Sequence, residues 1–223
     1  MPEESDRYPP VALEHRGVSA DKRMFSPSAA RNSAPILEVL KRLLPVTGVV
    51  LEIGCGTGEH AVCFAEAMTN LTWQPSDTDA DARASTASWI KFARLSNALA
   101  PLDIDVCATS WGVEETAPFD AIVSINMVHI APWTASLGLF AGADRLLCDG
   151  GLLVLYGPFM RCGVHTAPSN ADFDASLKAR NPAWGVRDIA DLQRVGEASG
   201  LSLREIIDMP SNNAVVVFSK DIG

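Results

Sequence analysis

One stretch limits the possible folds more than any other: Val49-Val50-Leu51-Glu52-Ile53-Gly54-Cys55-Gly56-Thr57-Gly58-Glu59-His60. A short apolar, β-branched run passes through alternate glycines straight into a segment able to start a helix. Glycine tolerates positive φ and lets the backbone come close to a ligand where any Cβ would collide. A strand that turns so sharply into a helix opens a parallel sheet, because the chain must cross over before the next parallel strand can pair.

The rest of the chain keeps this rhythm. Apolar runs predict further strands over 71–75, 102–106, 121–126 and 152–156 beside 49–53, with helices near 59–68, 80–97 and 133–148. In the last of these helices Leu139, Ala143, Leu146 and Leu147 share one face, and Asp149-Gly150-Gly151 is expected to end it. Upstream, Ser26-Pro27 marks a helix start before the stripe Ile36, Leu37, Leu40, Leu43 and Leu44, with a break expected at Pro35 and a stop at Pro45. Residues 1–25 mix proline and charge and read as an arm or lid.

Residues 158–186 crowd proline, glycine, asparagine and aromatic residues without a period, and read as an irregular, substrate-side insertion. A final helix begins near Asp188, turns Ile189 and Leu192 inward and is capped by Gly200. Leu201 to Ile207 and Val215 to Phe218 then form a hairpin. The expectation is one α/β domain over 26–223.

Composition excludes some partners. A formal charge of −9 disfavours a grip on a phosphate backbone, which needs clustered Lys and Arg, so no nucleic-acid partner is expected. No apolar run approaches a bilayer span, and the start Met-Pro-Glu-Glu-Ser-Asp lacks the features of a secretory signal. Five cysteines without a C-x-x-C pair suit free thiols in the reducing cytoplasm, and no metal site is expected.

The residues around the turn point to a nucleoside. Asp77, at the end of the second strand, can accept from the two hydroxyls of a ribose, and Asp105, after the third, can meet the exocyclic amine of adenine. Gly56-x-Gly58-x-x-Ala61 also fits the relaxed fingerprint for a nicotinamide dinucleotide, but the C-terminal hairpin is the wrong ending for a second mononucleotide half.

Glu52-x-Gly54-x-Gly56-x-Gly58, Asp77 and the terminal hairpin resemble class I S-adenosylmethionine-dependent methyltransferases over 48–220. A narrower similarity, to the methyltransferase-like protein 26 family, lies in six segments spread over nearly the whole chain. They are Ser26-Pro-x-Ala-x-Arg31-Asn32, Leu71-Thr-Trp-Gln-Pro-Ser-Asp77, Ile125-Asn-Met-Val-His-Ile130, Tyr156-Gly-Pro158, Ser169-Asn170-x-x-Phe-Asp174 and Arg180-Asn-Pro-x-Trp-Gly185. The resemblance implies a Rossmann-like doubly wound seven-stranded sheet, mostly parallel, with an antiparallel C-terminal hairpin strand. It implies S-adenosylmethionine as cofactor, S-adenosylhomocysteine as product and a small-molecule acceptor.

Carried onto this chain, the cofactor would meet Arg31, Asn32, Glu52, Gly54, Cys55, Gly56, Gly58, Asp77, Asp105, Val106, Asn126 and Met127. Arg31 has the planar fork suited to a carboxylate. Asn126, Tyr156 and His129 are the candidate catalytic residues, and His129 is either a general base or a buried ring that fixes its loop. Two alternatives stay open: intramolecular cyclisation of the cofactor with release of methylthioadenosine, and a non-catalytic cofactor-binding module.

Overall fold

The structure is a computed structural model, described here over residues 17–222. The chain opens on a small hairpin, β1 (Gly17–Val18) with β2 (Met24–Phe25), followed by helix α1 (Pro27–Leu43). Strand β3 (Gly48–Ile53), helix α2 (Glu59–Ala67), strand β4 (Leu71–Ser76) and helix α3 (Ala80–Ala93) follow in the alternation the glycine turn predicts. Strand β5 (Phe119–Ile125) leads to helix α4 (Trp133–Leu146) and strand β6 (Leu147–Gly157). Next come β7 (Phe159–Arg161), β8 (Val164–His165), helix α5 (Pro168–Arg180), β9 (Arg187–Asp188) and helix α6 (Ile189–Ala198). The hairpin β10 (Leu201–Met209) and β11 (Asn213–Lys220) ends the chain.

Six of these strands form the central sheet in the order β10-β11-β6-β5-β3-β4. From β4 to β6 they pair in parallel, and β11 and β10 close the far side antiparallel. Alternate residues of each strand face opposite layers. Leu51, Ile122, Leu153, Leu155, Val216 and Phe218 pack with Leu139, Phe140 and Leu192 of α4 and α6. Val50, Val123, Val154, Val215 and Val217 pack with Ile36, Leu40 and Phe64 of α1 and α2. Both faces are therefore covered, which is the doubly wound arrangement.

The expected seventh strand, over 102–106, does not form. Only isolated bridges, Trp73 to Ala98 and Ser76 to Leu102, pair the chain around this segment with β4. Pro101 brings no N–H to a ladder. Asp105 then bends the backbone by accepting from Cys107 N–H at 2.9 Å. Helix α4 presses on the same place, where a Cβ at Gly138 would lie 2.1 Å from the Val106 carbonyl oxygen.

Three other expectations also fail for physical reasons. Helix α1 runs unbroken through Pro35. Burial of Ile36 and Leu40, just beyond the proline, outweighs a lost hydrogen bond that costs about 3 kcal/mol in a helix interior. Helix α4 stops at Leu146, and Asp149-Gly150-Gly151 lies inside β6, not at a helix end.

The 158–186 insertion is ordered. Strands β8-β7-β9 make a three-stranded sheet and α5 packs Leu177 with Trp184 and Val186. Its Asp174 accepts from Val186 N–H at 2.8 Å and Lys178 Nζ at 2.7 Å. These hold its pKa below the ordinary value although burial acts upward.

Of the expected arm, residues 17–25 are the hairpin docked on α3, and 1–16 lie outside the described residues. Met24 N–H donates to Ser85 Oγ at 2.8 Å, and Trp89 Nε1 donates to Met24 O at 2.9 Å. The Arg23 guanidinium lies 3.6 Å from the Phe92 ring centroid and 4.7 Å from that of Trp89. No helix among the described residues is long and apolar enough to cross a membrane.

Candidate functional site

The carboxyl ends of β3, β4 and β5 open on a crevice of about 250 Å³, slightly below the range usual for small-molecule pockets. Its floor is the glycine turn. Gly54 and Cys55 N–H both donate to Ser76 O at 2.9 Å, which holds the turn against the end of β4. Gly54, Gly56 and Gly58 have φ of +75°, +57° and +86°, conformations that other residues adopt only at a cost.

The glycines do different work. A Cβ on Gly56 would meet nothing within 4 Å, so this backbone faces open space in the crevice. A Cβ on Gly58 would stand 2.6 Å from Thr86 Cα, so this residue seats α2 against α3. Gly56 therefore leaves open space in the crevice and Gly58 serves packing.

Asp77 is fixed beside Gly56. Its Oδ2 accepts from Gly56 N–H and its Oδ1 from Asp79 N–H, each at 2.9 Å. A carboxylate offers about four lone-pair sites in all, which suits the group to several donors at once. Asp105 and Val106 line the same wall, with Thr78, Asp79 and Ile104. On the other side of β3 stand Asn126 and Met127. Asn126 takes φ +57° immediately after β5, a strained choice of the kind found at functional sites, and its N–H donates to Tyr156 O at 2.8 Å.

Glu52 does not touch the crevice. It is buried under the turn, where it accepts from Trp73 Nε1 at 2.7 Å. Burial raises its pKa to about 7 against that hydrogen bond, with some help from the charge of Asp77. Cys55 lines the crevice, but burial raises its thiol pKa and Sγ lies 3.3 Å from Thr86 Oγ1, so it packs and does not react. None of the five cysteines is disulfide-bonded, and no metal-ligating cluster occurs among the described residues.

Helix α1 contributes a different set of residues from the one its sequence suggests. Ser26, Ser28 and Ala29 reach the crevice, whereas the exposed Arg31 and the partly buried Asn32 lie off its wall. Ser26 N–H and Thr57 Oγ1 both donate to Glu59 Oε2, at 2.6 and 3.0 Å, which ties the start of α1 to the turn. His60 is on the wall. Asn32 instead meets its Nε2 at 2.8 Å.

Two of the three candidate catalytic side chains stand behind the wall. Tyr156 is buried, and burial raises its pKa against the lowering effect of the neighbouring Asn32 and Asn213 amides. His129 is only 2% exposed and packs edge-on against Phe173. Burial, and then the nearby Arg187 charge, lower its pKa to about 3, so the ring is neutral. Its Nδ1 has no hydrogen-bond partner among the described residues. Arg187, unremarkable in the sequence, fixes the loop after β5 by donating to Val128 O at 2.9 Å and Ala131 O at 2.5 Å.

Solved structures of methyltransferases share this fold at low identity. An O-methyltransferase family protein from Burkholderia thailandensis is 16% identical with a TM-score of 0.73, over 88% of this chain and 58% of that one. An O-methyltransferase family 2 protein from Planctomyces limnophilus, in complex with apigenin, is 15% identical with a TM-score of 0.70, over 87% of this chain and 60% of that one. The calicheamicin-biosynthesis methyltransferase CalO1, solved with S-adenosylhomocysteine bound, is 18% identical with a TM-score of 0.67, over 86% of this chain and 54% of its own. The chain thus spans three-fifths or less of these proteins' length, and the likeness establishes the Rossmann-like methyltransferase fold. In sequence, residues 23–220 match the family described as "Protein of unknown function (DUF938)". The chain belongs to that family.

Proposed function

We propose that this protein binds S-adenosylmethionine in the crevice and transfers its methyl group to a small-molecule acceptor, leaving S-adenosylhomocysteine. The observation that carries this reading is the open approach to Gly56 beside a carboxylate fixed by that residue's own N–H. Such a pair fits a ligand that brings a ribose edge-on to the backbone. Asp77 would accept from the ribose hydroxyls, Asp105 and Val106 would border the adenine, and Asn126 and Met127 would border the reacting end. The cofactor supplies a methyl group already activated on a sulfonium, so the protein's tasks are to orient the partners and exclude water.

A small acceptor suits a crevice of about 250 Å³ with no Lys or Arg among its described lining residues. A cytoplasmic location belongs to the same reading and accords with the unpaired cysteines. So does the narrower resemblance to the methyltransferase-like protein 26 family.

In this reading His129 and Tyr156 are positioning residues, since each ring stands behind the crevice wall. His129→Asn should lower the melting temperature and leave the pH profile of turnover unchanged. Loss of one limb of that profile would restore the ring as the base.

The deciding experiment incubates purified protein with S-adenosylmethionine and a metabolite extract, followed by mass spectrometry. S-adenosylhomocysteine with a methylated metabolite is the expected result. Methylthioadenosine without methylation would mean cyclisation, binding without consumption would mean a non-catalytic module, and absence of binding would remove the cofactor from the reading.

A further inference from the structure

Among the described residues the crevice wall carries one imidazole. His60 stands in the first turn of α2, stacked on Phe64 with ring centroids 5.5 Å apart and planes 14° from parallel. Its Nε2 lies 2.8 Å from Asn32 Oδ1. An amide oxygen can only accept, so Nε2 carries the ring proton and Nδ1 carries the lone pair. Among the described residues the bond to Asn32 is the only hydrogen bond this ring makes. Nδ1 is therefore an unused acceptor on a crevice-lining side chain.

The tautomer is held from behind. Asn32 gives its carbonyl oxygen to His60. Behind it lies Tyr156 of β6, whose pKa burial raises and the neighbouring amides of Asn32 and Asn213 lower. Burial keeps the imidazole neutral, with a pKa of about 4.

Sheet order gives the ring its place relative to the ligand. Asp77 follows β4, on one side of β3, whereas β5 and β6 lie on the other. His60 is hydrogen-bonded to Asn32 of α1, which lies beside Tyr156 of β6, and Ser26 and Ser28 line the crevice with it. With the ribose on Asp77 the nucleoside lies toward β4, and the rest of the ligand runs toward His60. An acceptor nitrogen there calls for a donor, and an acidic wall favours a cationic one.

We propose that His60 Nδ1 accepts a hydrogen bond from the α-ammonium group of the cofactor's methionine portion, with Asn32 positioning the ring. The inference rests on the S-adenosylmethionine reading above. It makes His60 and α1, in place of an arginine, the structure that recognises the amino-acid end of the ligand.

The test is calorimetric titration of wild type, His60→Phe and Asn32→Ala with three probes: S-adenosylhomocysteine, its analogue lacking the amine, and 5′-methylthioadenosine. His60→Phe keeps a ring to stack on Phe64 and removes both nitrogens. Loss of the amine should weaken binding to wild type about tenfold or more and to His60→Phe hardly at all, while methylthioadenosine binds both alike. Asn32→Ala should shrink the amine penalty as well, which a merely structural role would not do.

An equal amine penalty in wild type and His60→Phe, or an unchanged affinity of His60→Phe for S-adenosylhomocysteine, overturns the inference alone. Wild type that binds neither S-adenosylhomocysteine nor methylthioadenosine overturns the cofactor reading and the inference with it. If His60→Phe does not fold, as judged by circular dichroism, His60→Leu gives the same reading, because its side chain offers no acceptor to the ammonium.

Discussion

Glu52 is a carboxyl group enclosed between β4 and β5 with one indole N–H to accept from, and this has a measurable cost. Its pKa in the fold is about 7 against an ordinary 4.5, so between these values the folded state holds more protons than the unfolded chain. Stability must then fall as pH rises through that window, by roughly 3 kcal/mol once the group is past both values. Glu52→Gln keeps an oxygen for Trp73 and carries no charge. It should raise the urea midpoint clearly at pH 8 and little at pH 4.5; equal gains at both would mean that Glu52 does not titrate there. Asp77→Ala removes the acceptor for Gly56 N–H together with the proposed ribose contact. Affinity for S-adenosylhomocysteine should fall about ten- to a hundredfold, and an unchanged dissociation constant would place the ribose elsewhere.

At this scale Gly54, Gly56, Asp77, Asp105 and Asn126 were legible in the sequence, because backbone approach and strand ends restrict the residue types that can serve there. Glu52 was legible as part of a motif but not as a buried group, since nothing in one strand says which layer will close over it. His60 and Arg187 were not legible: their partners Asn32 and Val128 are distant in the chain, and only folding brings them together.

The same turn gives a paired prediction for helices and strands. Gly58→Ala would push a Cβ to 2.6 Å from the Thr86 backbone at φ +86°, so it should separate α2 from α3 and cost at least about 2 kcal/mol in stability. Gly56→Ala meets nothing within 4 Å and bears only the left-handed backbone cost of about 1 to 2 kcal/mol, yet should lose most affinity for S-adenosylhomocysteine. Thermal melts and titration of the two variants check this; a Gly56→Ala protein with normal affinity would move the ligand away from the turn. Elements with a clear period were legible, as β3, β5 and β11 with their alternating layers illustrate. The 102–106 segment was not, because its apolar residues look like a strand and its failure to pair lies in Pro101, the Asp105 turn and the pressure of Gly138 from α4. Helix α5 was hidden by a short apolar face, supplied by Phe173 and Leu177, that becomes a core only against Trp184 and Val186.

For the molecule as a whole, the charge along the crevice matters more than its volume. Asp77, Asp79 and Asp105 line it, no Lys or Arg does so among the described residues, and the chain carries −9 overall. S-adenosylmethionine bears a sulfonium that S-adenosylhomocysteine lacks, so on the proposed reading this wall attracts the reactant by one positive charge more than the spent cofactor. The preference should be strongest at low ionic strength and shrink as the Debye length contracts from about 30 Å at 0.01 M to about 3 Å at 1 M salt. Titration of both compounds across that range checks it, and a ratio of dissociation constants independent of salt would contradict it. On that reading the consequence is kinetic: neutralising the sulfonium at each turnover would weaken the hold on what remains, so the acidic wall would clear spent cofactor and limit product inhibition.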